Sequence, residues 1–237
     1  MRIVALSDTH GLLDKLVEKY PVPDGDVLVH CGDLCIHGVE QDVEWFGKIF
    51  NQLPHKHKIF IAGNHDWFFE KNSDDIIKEA LNKYLPGVHY LNDSSITIDG
   101  IKFWGSPITP EFFNWAFNRE RGEEIKEHWD LIPNDTDVLI THGPPKGICD
   151  ITLDRPISYA RTRSCGCQDL LEATQRVKPK LHMFGHIHYS GGKHLIYNET
   201  TYANVCVVNE AYRIAKPCQV FDIDSDKKVT IIHDYER

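Results

Sequence analysis

Five times along this chain a short apolar run ends abruptly in acidic, amide or imidazole residues: IVALSDTHG, DVLVHCGDL, KIFIAGNHD, DVLITHGPP and LHMFGHIH. Runs of this length bounded by turn residues read as buried strands. In open α/β sheets, ligands bind beyond the carboxyl ends of the strands. A fold that sets these runs side by side therefore collects their polar tips in one crevice. The last run places His186 and His188 two residues apart, a spacing that in extended backbone projects both imidazoles from one face.

The segments between the runs fill in the fold class. VEQDVEWFGKIFNQL repeats Val39, Val43, Phe46 and Phe50 at helical spacing and stops before Pro54, and QDLLEATQRVK behaves alike before Pro179. SITIDGIKFWG sets Asp99-Gly100 between two strand-like runs, the signal of a two-residue hairpin turn. KHLIYNETTYANVCVVN and PCQVFDIDSDKKVTIIHDY read as further strands. The expected class is α/β, a layered α/β/β/α sandwich of two mixed sheets flanked by helices.

With 237 residues and no linker, repeat or low-complexity stretch, one domain spanning 1–237 is expected. The formal charge of −9 argues against duplex nucleic acid as a partner, because counterion release needs a basic face. It leaves room for a small phosphorylated substrate at a local positive site. No run approaches the roughly 20 apolar residues of a membrane span, and the opening MRIVALSDTHGLL lacks the pattern of a signal peptide. No membrane partner is expected. Seven scattered cysteines, an odd number, suit reduced thiols, so the expected address is the cytoplasm. Exposed hairpin strands admit a homodimer.

Asp8, His10, Asp33, Asn64, His65, Asp66, His142, His186 and His188 stand at the five tips. Taken singly, each has an ordinary reading: an aspartate ends a strand, an asparagine fills a turn, a histidine sits in a loop. Together they are oxygen and nitrogen donors without thiolate, which suit Mn, Fe or Zn. They are too many for one tetrahedral ion. Two ions about 3.5–4 Å apart, sharing one carboxylate, would use them all. Between such ions a bridging hydroxide is nucleophilic at neutral pH, and a histidine just outside the ligands suits a general acid.

The motifs DTH, GD, GNHD, THGP and GHIH, in this order, resemble those of the calcineurin-like metallophosphoesterases. SPITPEFFNWAFNRERG, THGPPKGICD and VKPKLHMFGHIH are similar to its subgroup of metallophosphoesterase-domain-containing proteins. The resemblance runs from about Ile3 to Asn209. It implies the calcineurin-like phosphoesterase fold and two divalent metals, with Mn favoured. Asp8, His10 and His188 would hold the first metal, Asp33 would bridge, and Asn64, His142 and His186 would hold the second. His65 would contact the substrate phosphate and protonate the leaving oxygen, with Asp66 as its acidic partner. Some animal members of the subgroup carry glycine in place of the first histidine of GHIH; here His186 is present.

The expected activity is hydrolysis of a phosphodiester, with a cyclic nucleotide as one candidate substrate. A phosphomonoesterase or nuclease of the same superfamily, and a non-catalytic protein-binding module, are the alternatives. Candidate substrate contacts are Asn114, Trp115 and Asn118 beside the aromatics Phe112, Phe113 and Phe117, and Arg161 and Arg163, with Arg155, in a basic loop. His30 and His182, inside apolar runs, read as structural. DIDSDKKVTIIH begins like a calcium loop but lacks the sixth-position glycine and the twelfth-position acid, so a hairpin turn explains it.

Overall fold

A computed structural model describes residues 1–153 and 161–232. Strands β1 (Arg2–Leu6), β2 (Val27–Cys31), β3 (His57–Ile61) and β4 (His89–Tyr90) run parallel. On the β1 side, β15 (Gln219–Ile223) and β16 (Val229–Ile232) continue the sheet antiparallel, in the order β16-β15-β1-β2-β3-β4. The second sheet orders β13 (His194–Tyr197), β14 (Thr200–Asn204), β12 (Leu181–Phe184), β9 (Val138–Thr141), β6 (Ile101–Ser106) and β5 (Ser94–Ile98). Its four inner strands are parallel and its two outer strands antiparallel to their neighbours. Two small ribbons flank them, β7 (Thr109–Pro110) with β8 (Asn118–Arg119), and β10 (Ile151–Leu153) with β11 (Thr162–Ser164).

Parallel neighbours need crossovers, and helices supply them. Helix α1 (Leu13–Lys19) joins β1 to β2, and α2 (Glu40–Phe50) joins β2 to β3. Helices α3 (Trp67–Lys71) and α4 (Asp74–Tyr84) lead to β4; α5 (Glu123–Asp130) precedes β9 and α6 (Gln168–Val177) precedes β12.

Alternation along the strands sorts the core. Ile3, Ala5, Val27, Val29, Ile59 and Ile61 cluster with Phe103, Val138, Ile140, Leu181 and Met183, the faces the two sheets turn to each other. The intervening residues Val4, Leu6, Leu28 and Phe60 cluster with Leu16, Phe46 and Phe50 of the helices, as Trp104 and Leu139 do with Trp129 and Leu170. The expected layers, helix on sheet on sheet on helix, are present. The Asp99-Gly100 turn joins β5 to β6 with φ values of 46° and 82°, the paired left-handed residues such a turn requires. Asp224 Oδ1 accepts from the N–H groups of Asp226 and Lys228 in the β15–β16 turn, so that acidic stretch is a hairpin.

Each sheet buries one histidine of an apolar run. His30 Nε2 lies 2.9 Å from Thr9 Oγ1, and His182 Nε2 lies 2.8 Å from Thr141 Oγ1. Burial pushes both imidazoles down to about 3, so they stay neutral. Replacing the fully buried Phe103 with alanine empties space between the sheets and should cost about 3–5 kcal/mol, measured by urea unfolding.

Candidate metal centre

All five polar tips leave the carboxyl ends of strands at the same edge of the sandwich, three from the first sheet (β1, β2, β3) and two from the second (β9, β12). The chain must turn sharply there. Asp8, His10, Asp33 and His186 have φ values of 59°, 42°, 57° and 65°, the left-handed region that non-glycine residues adopt at a cost of about 1–3 kcal/mol each. Hydrogen bonds hold these turns: Asp8 N–H to Gly32 O, His10 N–H to Asp33 O and Gly185 N–H to His142 O. The glycines preceding Asp33, Asn64 and His186 are required by proximity. A Cβ on Gly185 would lie 2.1 Å from Asp8 Oδ2, and one on Gly63 2.4 Å from Asp33 Oδ1. One on Gly32 would lie 2.5 Å from His142 Nδ1.

The donor atoms gather in two groups, and a third, His10–Asp33–His65, overlaps both. In the first, His10 Nε2 is 3.4 Å from His188 Nε2, and His188 Nε2 is 3.5 Å from Asp8 Oδ1. In the second, Asn64 Oδ1 lies 3.0 Å from His142 Nε2 and 2.8 Å from His186 Nδ1. Asp33 Oδ2 lies between them, 3.6 Å from His10 Nε2 and 3.3 Å from His142 Nε2. The groups Asp8–His10–His188 and Asp33–His142–His186 each bring three ligand atoms within 4.8 Å of one another.

The donor set fits cations. Asp8 and Asp33 are buried, and among the described residues their ion-pair partners are imidazoles, with no Lys or Arg ion pair. Burial alone would raise Asp8; the hydrogen bond and charge of His188 prevail and hold it well below the carboxylate range. Asp33 is held low in the same way by His142. Burial pushes His10 down to about 4 and His186 to about 3, which leaves the neutral imidazoles that bind metal. His142 Nδ1 faces Cys31 O at 2.9 Å; donation there turns Nε2 toward Asp33, the tautomer a ligand needs. Burial opposes a second proton on His142, but Asp33 overrides it and lifts the group to about 9.

A family model described as calcineurin-like phosphoesterase matches residues 1–190. The chain belongs to this family. Human metallophosphoesterase domain-containing protein 1 is 37% identical over 246 residues, covering 95% of this chain and 72% of the relative. The UPF0046 protein C25E10.12 of Caenorhabditis elegans is 37% identical, covering 94% and 81%. A solved crystal structure 16% identical matches over 98% of both chains with a TM-score of 0.66, a likeness of fold. Membership makes the chain a metal-dependent phosphoesterase, and the donor groups above are its candidate centre.

Around the candidate ligands, rings stand in a row. His65 lies 4.3 Å from Trp115, nearly parallel, and 4.7 Å from His10, edge-on, between centroids. Its backbone N–H donates to Asp33 Oδ1 at 2.9 Å, and its ring makes no hydrogen bond among the described residues. The cleft in front measures about 740 Å³ and is lined by His65, Phe112, Phe113, Trp115, Arg121, Arg163, Tyr189 and Tyr212, among others. Trp115 and Arg163, two of the candidate substrate contacts, both line this cleft.

Other candidates stand elsewhere. The Asp66 carboxylate does not meet the His65 ring; it accepts N–H bonds from Gly63, Cys35 and Leu34 at 2.7, 2.8 and 3.3 Å and ties the β2 and β3 loops together. Burial, with the charge of Asp33 behind it, pushes Asp66 up to about 7. The Asn118 amide is committed to Thr109 Oγ1 and the carbonyls of Phe112 and Phe113. Asn114 and Arg161 are exposed and outside the cleft wall, and Arg155 lies outside the described residues. Tyr212 sits in no motif, and Arg121, although it lies in the segment SPITPEFFNWAFNRERG, carries no pattern that marks it as a cleft residue.

A base whose pKa is raised by folding stabilises the fold fully below its ordinary pKa and ceases to as pH passes the folded one. For His142 that window runs from 6.5 to about 9. Metal-free protein should lose melting temperature as pH rises from 6.5 to 9, and saturating Mn²⁺ should flatten the profile, because metal displaces the proton. Scanning fluorimetry reads both; a flat profile without metal contradicts the assignment.

Proposed function

We propose that the chain is a two-metal phosphodiesterase, with Asp8, His10 and His188 for one divalent ion and Asn64, His142 and His186 for the other. The observation that carries this reading is Asp33: a single oxygen, Oδ2, stands within 3.6 Å of His10 Nε2 and 3.3 Å of His142 Nε2, as a ligand shared by two ions would. Oxygen and nitrogen donors without thiolate suit Mn, Fe or Zn, and Mn²⁺ is the first choice. Bound divalent ions supply charge stabilisation for a phosphoryl centre and a nucleophile formed from water at neutral pH.

The residues of the chain do the rest. Asp33 orients His65 through its backbone N–H, and Trp115 and His10 hold the ring on both sides. An imidazole so fixed, with no internal hydrogen bond, donates a proton to the departing ester oxygen. Asp66 positions the loop that carries it. The cleft extends past the donor groups to Trp115, Phe112 and Phe113, which gives the second ester group of a diester an apolar wall. A nucleoside ring, as in a cyclic nucleotide, matches that wall by stacking. Seven free thiols agree with a place in the cytoplasm.

Metal-stripped protein given Mn²⁺ should turn over bis(p-nitrophenyl) phosphate faster than p-nitrophenyl phosphate, and chelation should abolish both. His65→Gln should lower kcat about 100-fold, within the usual range for a general acid, while two metal equivalents still bind. A preference for the monoester makes the chain a phosphatase. Binding of two ions without turnover of either ester means a narrow pocket or a binding role.

A further inference from the structure

Tyr212 stands in the loop between β14 and β15, past the matched span of 1–190. Its φ of 54° is imposed by a closed turn. Asn209 N–H donates to Arg213 O at 3.0 Å, and Tyr212 N–H donates to Asn209 O at 2.9 Å. Within the turn, Asn209 Oδ1 accepts from the N–H groups of Ala211 and Arg213 at 3.0 and 3.2 Å. The turn is also tied to the candidate ligands: Lys216 Nζ donates to His188 O at 2.8 Å and to Val208 O at 3.0 Å. A strained aromatic residue that is 47% exposed gains little from burial alone, so its contacts must account for the turn.

Those contacts are confined to one side of the centre. The Tyr212 ring lies 4.7 Å from His10 at 68° and 5.0 Å from His188 at 85°, both edge-on. It lies 6.2 Å from His65. Among the described residues it makes no ring contact with His142 or His186.

We infer that Tyr212 is a positioning residue for one of the two metal sites, its ring fixing the planes of His10 and His188 and keeping bulk water from their flank. The inference rests on the two-ion reading above. The His10 and His188 nitrogens face each other at 3.4 Å only while both rings keep their present planes. His142 is held instead through Cys31 O, so the second site does not depend on Tyr212. Outer partners of metal-binding histidines typically contribute about 10–100-fold in affinity, and here the whole effect falls on one ion.

The test is calorimetric titration of metal-free protein with Mn²⁺ for wild type, Tyr212→Ala and Tyr212→Phe, with the melting temperature of each metal-free form. Tyr212→Ala should weaken one equivalent at least about 10-fold and leave the other, with a melting temperature near that of wild type. Tyr212→Phe keeps the ring and should bind like wild type. Equal weakening of both equivalents, no weakening of either, or a Phe variant as weak as the Ala variant overturns the inference. Wild type taking up fewer than two ions defeats the two-ion reading itself, and the inference falls with it.

Discussion

One carboxylate oxygen, Asp33 Oδ2, is where the two halves of the molecule meet. It faces His10 from the β1 loop on its own sheet and His142 from β9 on the other sheet. The distance between those groups is set by the apolar layer between the sheets, Val29, Ile59 and Ile61 against Phe103, Val138 and Ile140. Two carboxylates buried among imidazoles, with no lysine or arginine paired to them among the described residues, are costly unless positive charge arrives. A proton on His142 answers that need in the metal-free protein, and divalent cations answer it better. Packing and charge are thus one problem here: the sandwich holds the acids close enough that something must neutralise them.

The same demand explains the local backbone. Four of the seven candidate ligands or bridges occupy left-handed conformations, and three glycines precede candidate ligands because a methyl group would strike another of them or its neighbour. Such strain persists only where surrounding structure over-determines it. Asp66 provides part of that structure, with three backbone N–H groups gathered on one buried carboxylate. Its neighbour His65 is left to the cleft. The two adjacent residues of GNHD therefore differ in place, one bracing loops and the other lining the cleft.

The ring series Trp115, His65, His10, Tyr212 and His188 joins the metal groups to the cleft wall. Its members come from the β3 loop, the β7–β8 ribbon, the β1 loop, the turn after β12 and the loop after β14. Only tertiary structure could assemble it.

What the sequence determined by itself was the layered fold and the donor set. Apolar runs of strand length ending in paired polar residues are a local pattern, and the preference of ligands for strand carboxyl ends turned that pattern into a site. The Asp99-Gly100 hairpin and α2 and α6 were equally local in their signals; α4, which buries only Ile77 and Ala80, gave a fainter one. Tertiary structure alone decided which neighbours each polar group has. The family resemblance paired Asp66 with His65, yet the turn between them sends the carboxylate inward to three N–H donors. Asn118 lies beside the aromatic wall but is consumed in bracing its own ribbon. Tyr212 belongs to no motif, because its position follows from a closed turn and from rings that the chain supplies more than 20 and more than 200 residues earlier. Periodicity and strand-end chemistry are written along the chain, whereas the direction of a side chain at a strained turn depends on what the rest of the fold has already occupied.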